Sequence, residues 1–383
     1  MNTNRFETFY DAILAIIITI LVLKISQPIS PTWGGFFNNY LDFITYIIVF
    51  LSIINIWYSN QKLFQHIDNI DNRALLAYGF SIFLFTLFPY FAKYVALNIY
   101  SLTAETVFGL LILFTNLSHI ISVIAIFGAN KSNEKLKELN IKRSHYIFPI
   151  IVTLIGFIIS YTIFIPGIYI TSLFAVALSI IYNRKQGKEI ENTERFEALI
   201  DAIIAIIITI IVIEIPLAAN GNLDALFEIK LDLIAYAISF IVCFKIWNLS
   251  CNLFSIVKKI NYKAIWAISV SLLFLSFIPY LTNFVANNFN EFVPQCLYGL
   301  DFIMINIGFI VATIEMKKID KTNSFLQESI KNYNAGIIHI LFTIIFIIIG
   351  YFYKPSFIII SCLLSLIITW IMMLKKINLL GFK

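Results

Sequence analysis

Hydrophobic residues run in stretches of about 20 along this chain, separated by short polar segments. A helix rising 1.5 Å per residue crosses about 30 Å of hydrocarbon in one such stretch. Twelve stretches predict twelve spans, at 10–28, 40–59, 74–96, 105–127, 146–165, 168–182, 198–215, 231–250, 264–286, 295–315, 335–353 and 356–374. The period-two alternation of a membrane barrel is absent. The pattern therefore predicts an all-α integral membrane protein. Arg5, Glu7 and Asp11 stand in the lead-in of the first stretch, and no small-x-small cleavage site follows it. That stretch is expected to stay as a helix rather than be cleaved as a leader.

The chain repeats itself. Residues 5–20 read RFETFYDAILAIIITI and residues 195–210 read RFEALIDAIIAIIITI, an offset of 195 − 5 = 190. The same offset takes Leu41-Asp42 to Leu231-Asp232, Trp57 to Trp247, Phe64 to Phe254, Pro89-Tyr90 to Pro279-Tyr280, Gly109 to Gly299 and Asn116 to Asn306. The last two spans of each half match only in hydropathy. Six spans per half place both halves in the membrane in the same orientation, related by an axis along its normal. The domains read as a first six-helix repeat at 1–182, a cytoplasmic linker at 183–194 and a second six-helix repeat at 195–383.

Composition agrees with the pattern. Of 383 residues, 60% are hydrophobic and 13% charged, and the mean hydropathy is +0.88, beyond what a soluble core can use. The net charge is +5. Lys and Arg cluster in alternate connections, as at Lys131 to Arg143, Arg184 to Lys188, Lys258 to Lys263 and Lys317 to Lys331. The other connections hold only Lys230 and Lys354, with Lys24 and Lys93 at helix ends. The positive-inside rule puts the clustered side and both termini in the cytoplasm. Each cluster is short and abuts a span, which favours the lipid bilayer over nucleic acid as partner. Abundant Ile, Asn, Lys and Phe suit an AT-rich coding sequence and a bacterial plasma membrane. Four scattered Cys and four scattered His form no metal or disulfide pattern, and no cofactor is expected.

The repeated segment holds the candidate chemistry. As a helix, its first copy places Ile16, Thr19, Ile20 and Leu23 on one stripe, and its second copy Ile206, Thr209, Ile210 and Ile213. Such a stripe packs against lipid or a neighbouring helix as readily as it lines a pore. The Thr hydroxyl can also bond back to its own helix. Arg5 and Asp11, and Arg195 and Asp201, are either headgroup anchors or members of a polar network. Six residues apart, each Arg is off helical register with its Asp. Trp57 and Trp247 at the end of the second span are candidate partners, as are Asn60-Gln61 and Cys251-Asn252. Other polar residues inside spans are Asn55/Lys245, Glu105/Gln295, Asn116/Asn306 and Asp301. Lys245 and Asp301 occur only in the second half, where they can form an ion pair or line a side cavity. Lys24 maps onto Glu214, each 13 residues past its motif Asp. If four such helices surround an axis, the outer mouth alternates Lys and Glu, which can pair across neighbours or simply snorkel.

At these residues the sequence resembles the TMEM175 family of lysosomal and prokaryotic potassium channels. The family signature, Arg-x-x-x-Phe-Ser-Asp at the head of the first helix, reads Arg5, Phe9, Tyr10, Asp11 in one copy and Arg195, Leu199, Ile200, Asp201 in the other. The resemblance implies a homodimer in which four first helices surround one pore for potassium ions. It places the pore constriction at Ile16 and Ile206 and the pore threonine at Thr19 and Thr209. Ile20, Leu23, Ile210 and Ile213 extend the stripe. The family's Ser is Tyr10 and Ile200 here, and its Phe is Leu199 in the second copy. The His pair after the second-helix Trp in many bacterial members is missing. No TVGYG filter occurs, so selection would fall to a hydrophobic ring that passes ions only when it widens or hydrates.

A secondary transporter of the twelve-helix parallel-repeat type is the main competing reading. Its usual Gly- and Arg-rich loop between spans two and three is replaced by NQKLFQHIDNIDNR, without Gly. A non-conducting relative is a further alternative. An intramembrane enzyme would need a convergent cluster of His, Asp, Ser or Cys, and none is visible in the sequence.

Overall fold

The computed structural model describes residues 3–131, 133, 134, 136, 143–186, 193–257, 259–321, 323 and 333–379. Among them the first half forms α1 (Thr3–Val22), α2 (Trp33–Phe37), α3 (Tyr40–Phe64), α4 (Asn72–Thr86), α5 (Phe88–Leu97), α6 (Leu102–Ala129), α7 (Arg143–Thr162) and α8 (Gly167–Gln186). The second half forms α9 (Glu194–Ile213), α10 (Leu223–Glu228), α11 (Lys230–Phe254), α12 (Tyr262–Asn287), α13 (Phe292–Ile319), α14 (Tyr333–Phe352) and α15 (Phe357–Leu379). The protein is all-helical. Among the described residues, seven helical stretches are long and apolar enough to cross a membrane: α3, α4 taken together with α5, α6, α9, α11, α12 and α13. The apolar parts of α7, α8, α14 and α15 are shorter. Helix α1 is not among the seven, because Arg5, Glu7 and Asp11 crowd its lead-in.

The chain divides into two compact units. One comprises Met1–Ser26 with Asn39–Gly187, and the other Gln27–Asn38 with Lys188–Lys383. The short helix α2 therefore belongs with the second unit, where Gln27 Nε2 donates to the Tyr280 carbonyl at 3.1 Å. Hydropathy alone anticipated neither α2 nor α10. Of the expected linker at 183–194, residues 187–192 lie outside the described residues, as do parts of the basic clusters at 131–143, 258–263 and 317–331.

The offset of 190 governs more than the sequence shows. Helix α3 maps onto α11 with both bounds displaced by 190, and α6 maps onto α13 likewise. The same holds for α7 and α14, where sequence similarity has faded. Glu105 and Gln295 explain why the register survives. Glu105 Oε2 accepts the Tyr169 N–H at 3.0 Å, and Gln295 Oε1 accepts the Ile359 N–H at 3.2 Å. Each thus satisfies an orphan donor in the first turn of the last helix of its repeat. Beside this bond, a Cβ on Gly109 would sit 2.9 Å from Ile168 Cδ1, and one on Gly299 2.8 Å from Ile358 Cγ2. Both glycines let the last helix approach the fourth span.

Other local choices are also shared. Asp71 caps α4 through the Ala74 N–H and Asn261 caps α12 through the Ala264 N–H, both at 2.8 Å. The matched prolines act differently: Pro89 falls at the start of α5, after the chain breaks at Leu87, whereas Pro279 lies inside unbroken α12. Each unit has its own core. In the first, Phe6, Tyr10, Phe64 and Tyr78 form a ring cluster with centroid spacings of 5.3 to 6.2 Å. In the second, α12 is the most buried of the long spans and meets α13 where Gly308 admits the Ser271 hydroxyl, which donates to the Ile305 carbonyl at 2.9 Å.

The shared helix-start bond predicts unequal substitutions at Glu105. Glu105→Gln keeps the acceptor and reproduces the second repeat, so thermal stability in detergent should hold. Glu105→Ala leaves the Tyr169 N–H buried without its acceptor and should cost about 1–3 kcal/mol, read as a lower melting midpoint by size-exclusion monitoring of heated samples.

Candidate pore helices and their anchoring

Both copies of the motif carboxylate receive the same donor. Trp57 Nε1 donates to Asp11 Oδ1 at 3.0 Å, and Trp247 Nε1 donates to Asp201 Oδ1 at 2.9 Å. Donor and acceptor stand 46 residues apart in each case. The bond ties α1 to α3 in the first repeat and α9 to α11 in the second. Its setting differs between copies. Asp11 and Trp57 are buried, at 3% and 0% exposure, whereas Asp201 is exposed and Trp247 half-buried.

The first repeat adds a second tier of polar bonds. Asn60 Nδ2 donates to the Tyr10 hydroxyl at 2.7 Å, and the Tyr78 hydroxyl donates to Asn60 Oδ1 at 3.2 Å. The offset places Ile200, Ser250 and Ile268 at those positions in the second repeat. Three side chains have changed together, two of them into groups that cannot hydrogen-bond. The structural register puts Ser250 opposite Asn60 and Cys251 opposite Gln61, one residue earlier than the sequence pairing with Cys251-Asn252. Ser250 turns back to the Trp247 carbonyl at 2.7 Å.

The Ile stripe is distributed unevenly. On α1, Phe9, Ile16, Ile20 and Leu23 are exposed and follow one another at helical spacing, with Ile16 at 41%. Arg5 shares that face. Thr19 departs from the expected stripe: it is fully buried, and its hydroxyl donates to the Ala15 and Ile16 carbonyls at 2.9 and 3.0 Å. Three residues on from Ile16 a helix has turned about 300°, which places Thr19 about 60° to one side of Ile16 and about 100° from Ile20. On α9 the order reverses. Thr209 is exposed and bonds the Ile206 carbonyl at 2.8 Å, Ile206 is half-buried, Ile213 is exposed, and Ile210 is buried. Arg195 is half-buried.

At the far end of these helices, Lys24 is exposed, and Glu214 caps α9 and accepts from Asn283 Nδ2 at 2.5 Å. Asp301 is buried in α13, and its Oδ2 has no hydrogen-bond partner among the described residues. It makes no ion pair with Lys245 there. Asn55, at the position of Lys245, donates to Ser179 Oγ at 2.8 Å. No cluster of His, Cys, Asp and Glu suited to a metal occurs among the described residues.

Comparison with known proteins falls on these anchored segments. A family model described as endosomal/lysosomal potassium channel TMEM175 matches residues 5–89 and again residues 195–279. A potassium channel of Chryseobacterium sp. (strain P1-3) is 32% identical over 159 residues, which are 42% of this chain and 83% of the relative. The chain belongs to the TMEM175 family. That family is one of potassium channels, not enzymes. Two further relatives named potassium channels match over shorter stretches. One, from Streptomyces collinus, is 30% identical over 79 residues, 20% of this chain and 38% of its own length. The other, from Marivirga tractuosa, is 33% identical over 93 residues, 24% of this chain and 37% of its own. The first relative's shares, 42% against 83%, make it about half as long as this two-repeat member. The TMEM175 matches begin at Arg5 and Arg195 and end at Pro89 and Pro279, so they enclose both Asp–Trp bonds at the offset of 190. The Tyr10–Asn60–Tyr78 tier needed the structure to be seen. Its only sequence signal is that three polar positions of one copy turn apolar or small in the other.

Burial predicts unequal costs of removing the indole donor. Trp57→Phe leaves buried Asp11 without this bond and should destabilise the protein by about 1–3 kcal/mol. Trp247→Phe lets water replace the donor at exposed Asp201 and should cost less than about 1 kcal/mol. Paired melting curves of the two variants check this.

Proposed function

We propose that this protein is a potassium-permeable cation channel whose pore is lined by α1 and α9, with Ile16 and Ile206 as its hydrophobic constriction. One observation carries the reading: each family-matched segment holds its first helix by the same Asp–Trp bond, and on α1 this leaves Ile16, Ile20 and Leu23 as an exposed stripe. Two subunits bring four first helices around one axis, which accounts for the motif occurring twice per chain. The seven long spans, with α1 and the shorter α7, α8, α14 and α15, make twelve crossings. Both termini are then cytoplasmic, and a bacterial plasma membrane suits the source of the relatives.

With no carbonyl filter, conduction depends on wetting. Rings of Ile side chains offer an ion no replacement for its hydration shell, so a narrow ring excludes water and ions together. Ions pass when the ring widens, and discrimination between monovalent cations follows from partial dehydration. Both threonine hydroxyls bond back to their own helix, but Thr209 is exposed on α9 and Thr19 is buried on α1, so the polar level above the constriction comes chiefly from the second repeat. Lys24 and Glu214 alternate at the outer mouth and moderate its charge.

Proteoliposomes with opposed potassium and sodium gradients test this. Passive potassium flux without a co-substrate is the expected result, and flux that requires a co-substrate would point to a transporter. Replacing both Ile16→Asn and Ile206→Asn should raise flux several-fold and lower the preference for potassium over sodium. Unchanged flux and preference in folded protein would remove these residues from the constriction.

A further inference from the structure

The two candidate pore helices are anchored in different ways, and the difference recurs at both ends. At the outer end of α1 the chain is held at Ser26 by three side chains. Asp42 Oδ2 accepts the Ser26 N–H at 3.0 Å, Asn39 Nδ2 donates to the Ser26 carbonyl at 2.8 Å, and Lys93 Nζ donates to Ser26 Oγ at 2.7 Å. Lys93 also pairs with Asp42 at 2.5 Å, which closes the clasp. Backbone donor, backbone acceptor and side chain of one residue are all engaged.

The second repeat lacks this clasp. At the offset of 190, Ser26 becomes Pro216, Asn39 becomes Ile229 and Lys93 becomes Asn283, while Asp232 stays where Asp42 stands. Proline has neither an N–H nor a hydroxyl to offer, and Ile229 has no donor. Asn283 turns instead to Glu214. In place of the clasp is an open apolar groove lined by Val212, Ile215, Pro216, Leu226 and Ile229. At the inner end the Tyr10–Asn60–Tyr78 tier has likewise become Ile200, Ser250 and Ile268. Between its ends α9 buries Leu199, Ile203, Ile204, Ile207, Ile210 and Ile211.

We infer that α1 is a fixed stave of the pore and α9 the helix that moves in gating, so that the gate of a four-helix pore is two-fold rather than four-fold. Directional bonds fix depth and rotation together. Apolar contacts in a bilayer carry little directional preference, because the alternative contact with lipid is equally apolar. Held by Ile side chains and a directional bond near each end, α9 turns at smaller cost than α1, which has the clasp and the second polar tier, and the groove beside its outer end gives it room. The Asp201–Trp247 bond and the Glu214–Asn283 bond act as its hinges. This inference rests on the reading that α1 and α9 line the pore.

The test uses the full chain in nanodiscs and planar bilayers. Amide hydrogen exchange at Ile211–Glu214 should run at least about ten-fold faster than at Leu21–Lys24, the factor that one or two net hydrogen bonds supply. Rebuilding the clasp with Pro216→Ser, Ile229→Asn and Asn283→Lys should bring the α9 rate down to that of α1. Single-channel dwell times should then lengthen about ten-fold. Equal exchange at the two helix ends in the unmodified chain would overturn the inference. So would a rebuilt clasp that slows exchange and leaves dwell times unaltered. Absence of potassium current altogether would count against the pore reading instead, and the exchange comparison would still decide whether α9 is the looser helix.

Discussion

In both repeats the motif aspartate accepts a hydrogen bond from an indole 46 residues away, and at Asp11, where the carboxylate is buried, such a donor is required. Much else follows from that bond. It fixes the first helix of each repeat against the next long helix at one end, and so decides which face of the first helix turns outward. The exposed stripe of Phe9, Ile16, Ile20 and Leu23 on α1 is the complement of the face that this contact and the Phe6–Tyr10–Phe64–Tyr78 rings cover. A hydrophobic constriction needs its side chains held at one level, and only an anchored helix can do that.

Duplication supplies two such helices and then lets them diverge. Features that hold each repeat together have been kept: the Asp–Trp bond, the Asp71 and Asn261 caps, and the Glu105 and Gln295 bonds to the start of the last helix. Features that restrain only the first helix have been kept once. Lys93, Asn39 and Ser26 change together at one end, and Tyr10, Asn60 and Tyr78 at the other. Concerted loss of interacting groups is the economical route out of a polar network, since removing one partner strands the rest. With Pro, Ile and Asn at the other three positions, only Asp232 of the clasp remains, and it is half-buried where Asp42 is buried.

Glu105 and Gln295 show how the repeat persists beyond legible similarity. The last two helices of each half share only hydropathy in sequence, yet α7 and α14 keep bounds displaced by 190. A carboxylate in one repeat and an amide in the other accept the same N–H, because acceptance requires an oxygen rather than a charge. Substitution under that requirement blurs identity while leaving geometry intact.

The sequence by itself determined the all-helical membrane class, the duplication, the offset and the family motif. These are carried by local runs of apolar residues and by direct comparison of the chain with itself, neither of which needs a contact map. Trp57 and Trp247 were visible as partners because both stood at matched places with few alternatives nearby. Only the tertiary structure decided that Thr19 faces inward while Thr209 is exposed, since a stripe spaced three and four apart does not say where its edges fall. Residues 27–38 join the second unit through contacts such as Gln27 with Tyr280, more than 250 residues away. Ser26, Asn39, Asp42 and Lys93 carry no shared spacing, and they meet only because α1, α3 and α5 pack side by side. Which polar groups find each other across packed helices is a property of the fold, and hydropathy does not encode it.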